Sequence, residues 1–217
     1  MDFYHVLNRG VDKRVTFSDP PDYLRFIQNL HIYNNVENAP HNVWSTSARM
    51  KEQATEKLVT IHAYCLMPNH YHLLLSPLVD DGISLFMKKV NMGYTKYFNE
   101  RNERTGALWQ GKYKNILIEQ DSHFVYIPYY IHLNPLDISM PQWRKGKVLD
   151  STKAFKHLET YKWSSHRFFL NPEKIESSII QNTFFEKEFK QQSKYLNEIK
   201  NIISTPHIAM GSETIEG

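Results

Sequence analysis

A chain of 217 residues with 41% apolar and 13% aromatic residues is long enough for one domain with extensions around a real core. Its one cysteine excludes an internal disulfide and a cysteine-rich zinc site, no apolar run approaches the ~18 residues of a membrane helix, and the opening MDFYHVLNRG lacks a signal-peptide pattern, so a cytoplasmic protein is expected. The net charge of +3 is too mild to mark a nucleic-acid binder by itself, but residues 1–170 hold 21 Lys and Arg against 16 Asp and Glu, while residues 171–217 hold 5 against 7.

Phe3–Asn8 is a short apolar and aromatic run ending at Arg9 and Gly10, a first strand and its turn. His5 within it reads as a polar edge residue rather than one facing a working site. Ser18 and Asp19 before Pro20 and Pro21 form a helix start, because Ser and Asp cap and Pro is tolerated in the first turn. Leu24, Ile27 and Leu30 then keep a helical spacing to about Tyr33. Residues 34–57 are polar and mixed and read as an insertion, with a short helix near 47–56 and Trp44 sealing a local core. Val59–Leu66 and Tyr71–Leu75 are β-rich runs joined by a tight turn at Met67-Pro68-Asn69-His70. Cys65, in the first of these runs, reads as core.

Gly82–Arg101 is a strong helix, since Ile83, Phe86, Val90, Tyr94 and Tyr97 or Phe98 recur at three or four residue steps. Its other face carries Lys88, Lys89, Lys96 and Arg101. Tyr113–Glu119 alternates as a strand, with Lys114, Ile116 and Ile118 on one side. Asp121–Leu133 reads as a helix containing Pro128, which predicts a kink or a start delayed to that proline. Trp143–Lys147 is a basic loop, Ala154–Tyr161 a short helix, and Ile179–Ile203 a further helix, with a frayed tail after it. This order predicts an α+β fold of the split βαβ (ferredoxin-like) type, one antiparallel sheet with helices on one face and the other face free for a substrate. Residues 1–170 would form that domain, and residues 171–217 a helical C-terminal extension.

The chemistry centres on two stretches. Residues two apart on a strand share a face, so His70 and His72 stand side by side and offer two imidazoles to one divalent cation. A third histidine, His62, lies on the preceding strand. In the later stretch YYIHLNP, Tyr130 and Asn134 are four apart at the end of a helix and share its face. If that helix packs over the hairpin, Asn134 completes a His-His-Asn site and Tyr130 lies beside the cation. Such a site suggests phosphoryl transfer through a covalent tyrosine intermediate, with Mg²⁺ or Mn²⁺ as Lewis acid and Mn²⁺ favoured by imidazole. The product would be a 5′-phosphotyrosine and a free 3′-hydroxyl. Tyr126 and Tyr129 are rival nucleophiles.

His70-Tyr71-His72 resembles the histidine, bulky apolar, histidine motif of HUH single-strand endonucleases. More closely, the chain resembles REP-associated tyrosine transposases, relatives of the small single-strand insertion-sequence transposases. The matching segments are YHVLNRGVDKR at 4–14, HAYCLMPNHYHLLLSP at 62–77, GALWQGKYKNILIE at 106–119, YIHLNP at 130–135 and YKWSSHRFF at 161–169. The resemblance implies that His70 and His72 are metal ligands, that Tyr130 is the nucleophile, and that Asn134 helps to hold the metal. It also implies a substrate of single-stranded or hairpin DNA and a nucleoid-associated protein, and it leaves monomer and homodimer open. Pro128 and the Leu136-Asp137-Ile138 sequence after Pro135 depart from the family's pattern.

DNA contacts are expected from Arg9, Lys13 and Arg14 after the first strand, and from Trp109, Lys112, Tyr113 and Lys114, which mix cations with stacking surfaces. The alternative for Trp109 and Tyr113 is a place in the core. Trp163-Ser164-Ser165 reads as a structural cap. The expected function is a metal-dependent transposase that nicks and rejoins DNA at hairpins. The alternatives are a replication or relaxase-type nickase and a hairpin-binding protein without catalysis.

Overall fold

Strand β1 (Tyr4–Arg9) pairs antiparallel with β3 (His70–Pro77) on one side and β4 (Lys114–Leu117) on the other, and β3 pairs antiparallel with β2 (Val59–Met67). The sheet order is therefore β2-β3-β1-β4, and the fold is α+β with an antiparallel sheet, as the sequence predicts. The computed structural model describes residues 2–37, 56–119, 121–145, 150–170, 179–180 and 192–204. The expected helix near 47–56, Trp44 and the tail past 204 lie outside these residues. None of the described helices is long and apolar enough to cross a membrane.

Cross-strand partners place side chains on one face, so the register sorts the sheet into two sides. Tyr64, Leu66, Tyr71, Leu73, Leu75 and Val6 face helices α1 (Pro20–Ile32) and α2 (Gly82–Arg101). Asp19 caps α1 by accepting from Asp22 N–H. Phe26 of α1 is fully buried, 4.9 Å from Tyr71 and 5.2 Å from Tyr94 between ring centroids. Leu24, expected on the apolar face, is 51% exposed, because the inward stripe runs through Tyr23, Phe26 and Leu30 instead. Arg101 at the end of α2 donates to Asp22 and Asp19 at the start of α1, and Lys89 donates to the carbonyls of Asn35 and Glu37. Lys96 pairs with Glu100 at 3.8 Å, so three of the four cations of the expected basic face of α2, Lys89, Lys96 and Arg101, are engaged within the molecule.

The opposite face carries Ala63, Cys65, Met67, Leu74, His5, His70 and His72. Helices on one face alone were expected here, but this side too is covered. Helix α3 (Asp121–Leu133), a 3₁₀ turn at Trp143–Lys145, and helices α5 (Ser151–Thr160) and α7 (Gln192–Ser204) pack on it, while α4 (Leu136–Ser139) and α6 (His166–Leu170) link them. The reason is visible in β2, which is buried at every position and so is covered on both sides. Its outer edge is closed as well: Cys65 bridges Ser164, and Leu66 N–H donates to Trp163 O at 2.9 Å. Helix α3 starts at Asp121 and continues through Pro128, so its start is not delayed to the proline.

A buried polar network ties α3 to the C-terminal helices. His132 Nδ1 lies 2.8 Å from Tyr195 Oη, and its Nε2 lies 2.6 Å from Ser165 Oγ. His166 Nδ1 meets the same Tyr195 hydroxyl at 2.6 Å. Tyr64 N–H of β2 donates to Ser165 Oγ at 2.9 Å. The network spans sheet, α3, α6 and α7, and Tyr129 of α3 stacks on Tyr195 at 5.4 Å.

Burial holds the histidines neutral. His62 and His166 are each pushed down to about 4 by desolvation, and His132 is pushed well below its usual value by burial and then by neighbouring His166. Below the ordinary imidazole value of about 6.5 the unfolded chain takes up these protons while the folded chain does not. Stability is therefore complete above that pH and is lost as pH falls toward 4, at about 1.4 kcal/mol per pH unit for each such group. Urea midpoints measured from pH 7.5 to 5 are expected to fall steadily below pH 6.5. A midpoint flat across that range would show that these rings are not held neutral by the fold.

Candidate active site

The site begins with the period-two alternation of β3, which turns His70 and His72 to one side and sends Tyr71 into the aromatic core. The two imidazoles stand edge-to-face, 5.0 Å apart. His72 is 2% exposed. Each ring has its Nδ1 engaged. His70 Nδ1 lies 2.6 Å from Asn69 Oδ1, and the Asn69 amide is oriented by its own Nδ2, which donates to Lys13 O at 3.1 Å. His72 Nδ1 lies 2.9 Å from His5 Nε2. His72 Nε2 is buried with no hydrogen-bond partner among the described residues. Burial first, then the neighbouring His70, His5, Arg144 and Arg9, holds His72 well below the usual imidazole range, so it is neutral at neutral pH.

The loop after β1 clamps this turn. Gly10 N–H donates to Asn69 O at 2.8 Å, and the N–H groups of Thr16 and Phe17 both donate to Pro68 O. A Cβ at Gly10 would sit 2.5 Å from Arg14 O, so glycine is required there. Asp12 and Lys13 both adopt left-handed backbone, at φ 55° and 58°.

Helix α3 brings its last two turns against the histidines. Tyr130 is fully buried, and its ring meets His5 and His72 edge-on, 5.8 Å from each. Tyr126, one turn earlier, lies 6.5 Å from Tyr130. Its hydroxyl is buried with no hydrogen-bond partner among the described residues, and desolvation pushes it up to about 12. Tyr129 points to the other side of the helix, onto Tyr195. Of the three tyrosines, Tyr130 is the one set against the paired histidines.

Asn134 is buried and closes the helix end: its Nδ2 donates to Tyr130 O at 2.8 Å. Its Oδ1 accepts from Arg144 at 3.1 Å. The Arg144 guanidinium also donates to both oxygens of Asp137, at 3.0 Å each, and lies 4.9 Å over the Tyr130 ring. Trp143, fully buried, donates its indole N–H to the same carboxylate at 2.6 Å. The sequence reading of Trp143–Lys147 as a basic loop therefore missed Arg144, and the reading of His5 as an edge residue missed its contact with His72. His5 shares a face with His72 once β1 is registered on β3; Arg144 has no local sequence signal.

The donor set fits a divalent cation. A buried, unpartnered imidazole nitrogen beside a second imidazole is the kind of ligand such an ion takes, and both Nδ1 atoms are already held by neighbours. Among the described residues no group of three His, Cys, Asp or Glu side chains could hold a metal ion, so an amide or solvent oxygen would have to complete the set. His62, at the far end of β2, bonds Ser76 at 2.8 Å and takes no part.

The expected DNA contacts divide. Arg9 pairs in register with His70, and Lys114 lies in the row of Leu7 and His72; both are exposed on the histidine face. Lys13 and Lys112 are exposed, and Arg14 is half-buried with its Nε donating to Val11 O. Tyr113 is half-buried against the opposite core. Trp109 is 6% exposed among Phe17, Phe26, Tyr71 and Tyr94, which leaves no open ring for a base to stack on.

Residues 35–134 match the family model of IS200-like transposases. The matched stretch contains His70, His72, Tyr130 and Asn134 and ends at Asn134; His5 and Arg144 lie outside it. Among solved structures, the chain is similar to a REP-associated tyrosine transposase bound to a REP hairpin, at 14% identity and a TM-score of 0.46, over 79% of this chain and 80% of that one. Comparison with curated proteins finds no match.

Arg144 joins Asp137, Asn134 and Tyr130, so its removal should be felt in the fold. Arg144→Ala is expected to cost about 1–3 kcal/mol of unfolding free energy, by stranding two acceptors. Arg144→Lys should recover only part, since an ammonium cannot reproduce the planar fork. Urea denaturation of both variants checks this; full stability in the alanine variant would show that the arginine braces nothing.

Proposed function

We propose that this chain, which matches the IS200-like transposase family across residues 35–134, is a metal-dependent transposase that nicks and rejoins single-stranded DNA beside hairpins, with Tyr130 as nucleophile. The observation that carries the reading is the Tyr130 ring packed edge-on against His72, one helical turn before Asn134. His70 and His72 would hold Mg²⁺ or Mn²⁺, with Asn134 Oδ1 as a further ligand. When bound, the cation would draw negative charge from the scissile phosphate.

The chain's own residues do the rest. The Tyr130 hydroxyl gives up its proton to solvent and attacks phosphorus, the P–O3′ bond breaks, and the leaving 3′ oxygen takes a proton from solvent, giving a 5′-phosphotyrosine and a free 3′-hydroxyl. The bond energy is retained, so a 3′-hydroxyl can reverse the step without ATP. Neutral His72 offers a lone pair rather than a competing proton. Arg9, Lys13 and Lys114 supply exposed cations near the histidine face for the phosphate backbone. Tyr130 is fully buried beneath Arg144, so DNA must uncover it before attack. That same burial favours a second reading, a hairpin-binding protein that does not cut.

A covalent-adduct assay separates the two. Labelled single-stranded DNA carrying hairpins from the host genome is incubated with wild type, Tyr130→Phe and His70→Ala, with Mn²⁺ and with chelator. Wild type with Mn²⁺ is expected to form a protein–DNA adduct that drops on the order of 10³-fold or more in both variants and with chelator. An adduct surviving in Tyr130→Phe would move the nucleophile to Tyr126 or Tyr129. Tight hairpin binding without any adduct would leave the second reading.

A further inference from the structure

We infer that His5 is the positioning residue that makes His72 a metal ligand: by accepting the Nδ1 proton of His72, it fixes the tautomer whose Nε2 lone pair is available to a cation. The inference rests on the metal-dependent reading above. It starts from a contact that no neighbour in sequence supplies. His5 and His72 are 67 positions apart, both buried, stacked at 5.1 Å with their planes 14° apart, and joined Nε2 to Nδ1 at 2.9 Å.

One hydrogen lies between two ring nitrogens, and it belongs to one ring or the other. If His5 donates from Nε2, His72 must accept at Nδ1 and carry its own hydrogen on Nε2. That N–H would be buried with no acceptor among the described residues, and a protonated nitrogen cannot ligate. If His72 donates from Nδ1, its Nε2 carries the lone pair, and the same buried atom becomes a ligand awaiting an electrophile. Only the second arrangement gives the unpartnered nitrogen something to do.

His70 provides an internal comparison. Asn69 donates its Nδ2 to Lys13 O, so the oxygen it turns to His70 can only accept, and His70 must carry its hydrogen on Nδ1. Both histidines of the motif are thus held in one tautomer by an acceptor at Nδ1. For His70 that acceptor is an amide in the turn; for His72, deep in the sheet, it is His5. Ligating histidines are commonly oriented in this way, and loss of such a partner typically weakens metal affinity about 10–100-fold.

The test is Mn²⁺ binding without DNA, followed by electron paramagnetic resonance, in wild type, His72→Ala, His5→Leu and His5→Gln. Nitrogen-15 NMR of metal-free wild type reads the His72 tautomer directly and does not depend on whether a variant folds. Expected are hydrogen on Nδ1 of His72, binding lost in His72→Ala, about 10–100-fold weaker binding in His5→Leu, and near-native binding in His5→Gln, whose carbonyl can accept. Hydrogen on Nε2 of His72, wild-type affinity in His5→Leu, or failure of glutamine to restore a folded site would overturn the role of His5. Wild-type affinity in His72→Ala would instead overturn the metal reading on which it rests.

Discussion

Everything at this site depends on the register of one strand. β3 is hydrogen-bonded on both sides, to β1 and β2, and is buried on both faces. A slip of one residue would drive His72 into the ring cluster of Phe26, Tyr71 and Trp109, and turn Tyr71 to the face of Tyr130. Two cores of different character prevent it. On one side Tyr71 fits among the rings of Phe26 and Trp109; on the other, Cys65 and Leu7 flank His72 in the same row. The histidine pair is therefore placed by packing that is remote from any chemistry.

The price of that placement is a series of buried polar groups, and each is settled differently. His132 and His166 share the Tyr195 hydroxyl, which anchors α7 to the helix carrying Tyr130. His62 is paired with Ser76. His5 and His72 pair with each other. Unpaired polar atoms in such surroundings are costly, so the network ties the C-terminal helix to the sheet alongside its apolar contacts. Residues 192–204 belong to the same core as Tyr129 and Leu133 rather than hanging beside it.

Local patterns made part of this legible in the sequence. The bounds of α2 follow from its three-and-four spacing and match Gly82–Arg101. The two-residue alternation around Tyr71 and the four-residue step from Tyr130 to Asn134 each describe one element, and one element is enough. His5 and Arg144 failed for the opposite reason. Their roles lie in contacts made 67 and 10 positions away, across a strand pairing and around a helix end. Leu24 shows a third kind of failure: Leu24, Ile27 and Leu30 keep helical spacing, but so do Tyr23, Phe26 and Leu30, and only the aromatic cluster on the sheet decides between them. Trp109 likewise looked available for a base because nothing nearby in sequence shows the four rings that surround it.

Asn134 and His72 stand in different conditions, and the difference bears on how the site works. The amide of Asn134 is already committed on both ends, to Tyr130 O and to Arg144. His72 Nε2 has no hydrogen-bond partner among the described residues. An amide oxygen has two lone pairs, so the Arg144 contact does not by itself remove Asn134 from a ligand set. A guanidinium and a divalent cation at one oxygen nonetheless repel each other strongly in a buried site. In the proposed reaction, a cation held by His72 and Asn134 Oδ1 would compete with the Arg144 contact to that oxygen. Arg144 also covers the ring of Tyr130, the proposed nucleophile, so access to both side chains is governed by one arginine. Asp137, bound to the other edge of the guanidinium, would keep the arginine near the site, within reach of an incoming phosphate.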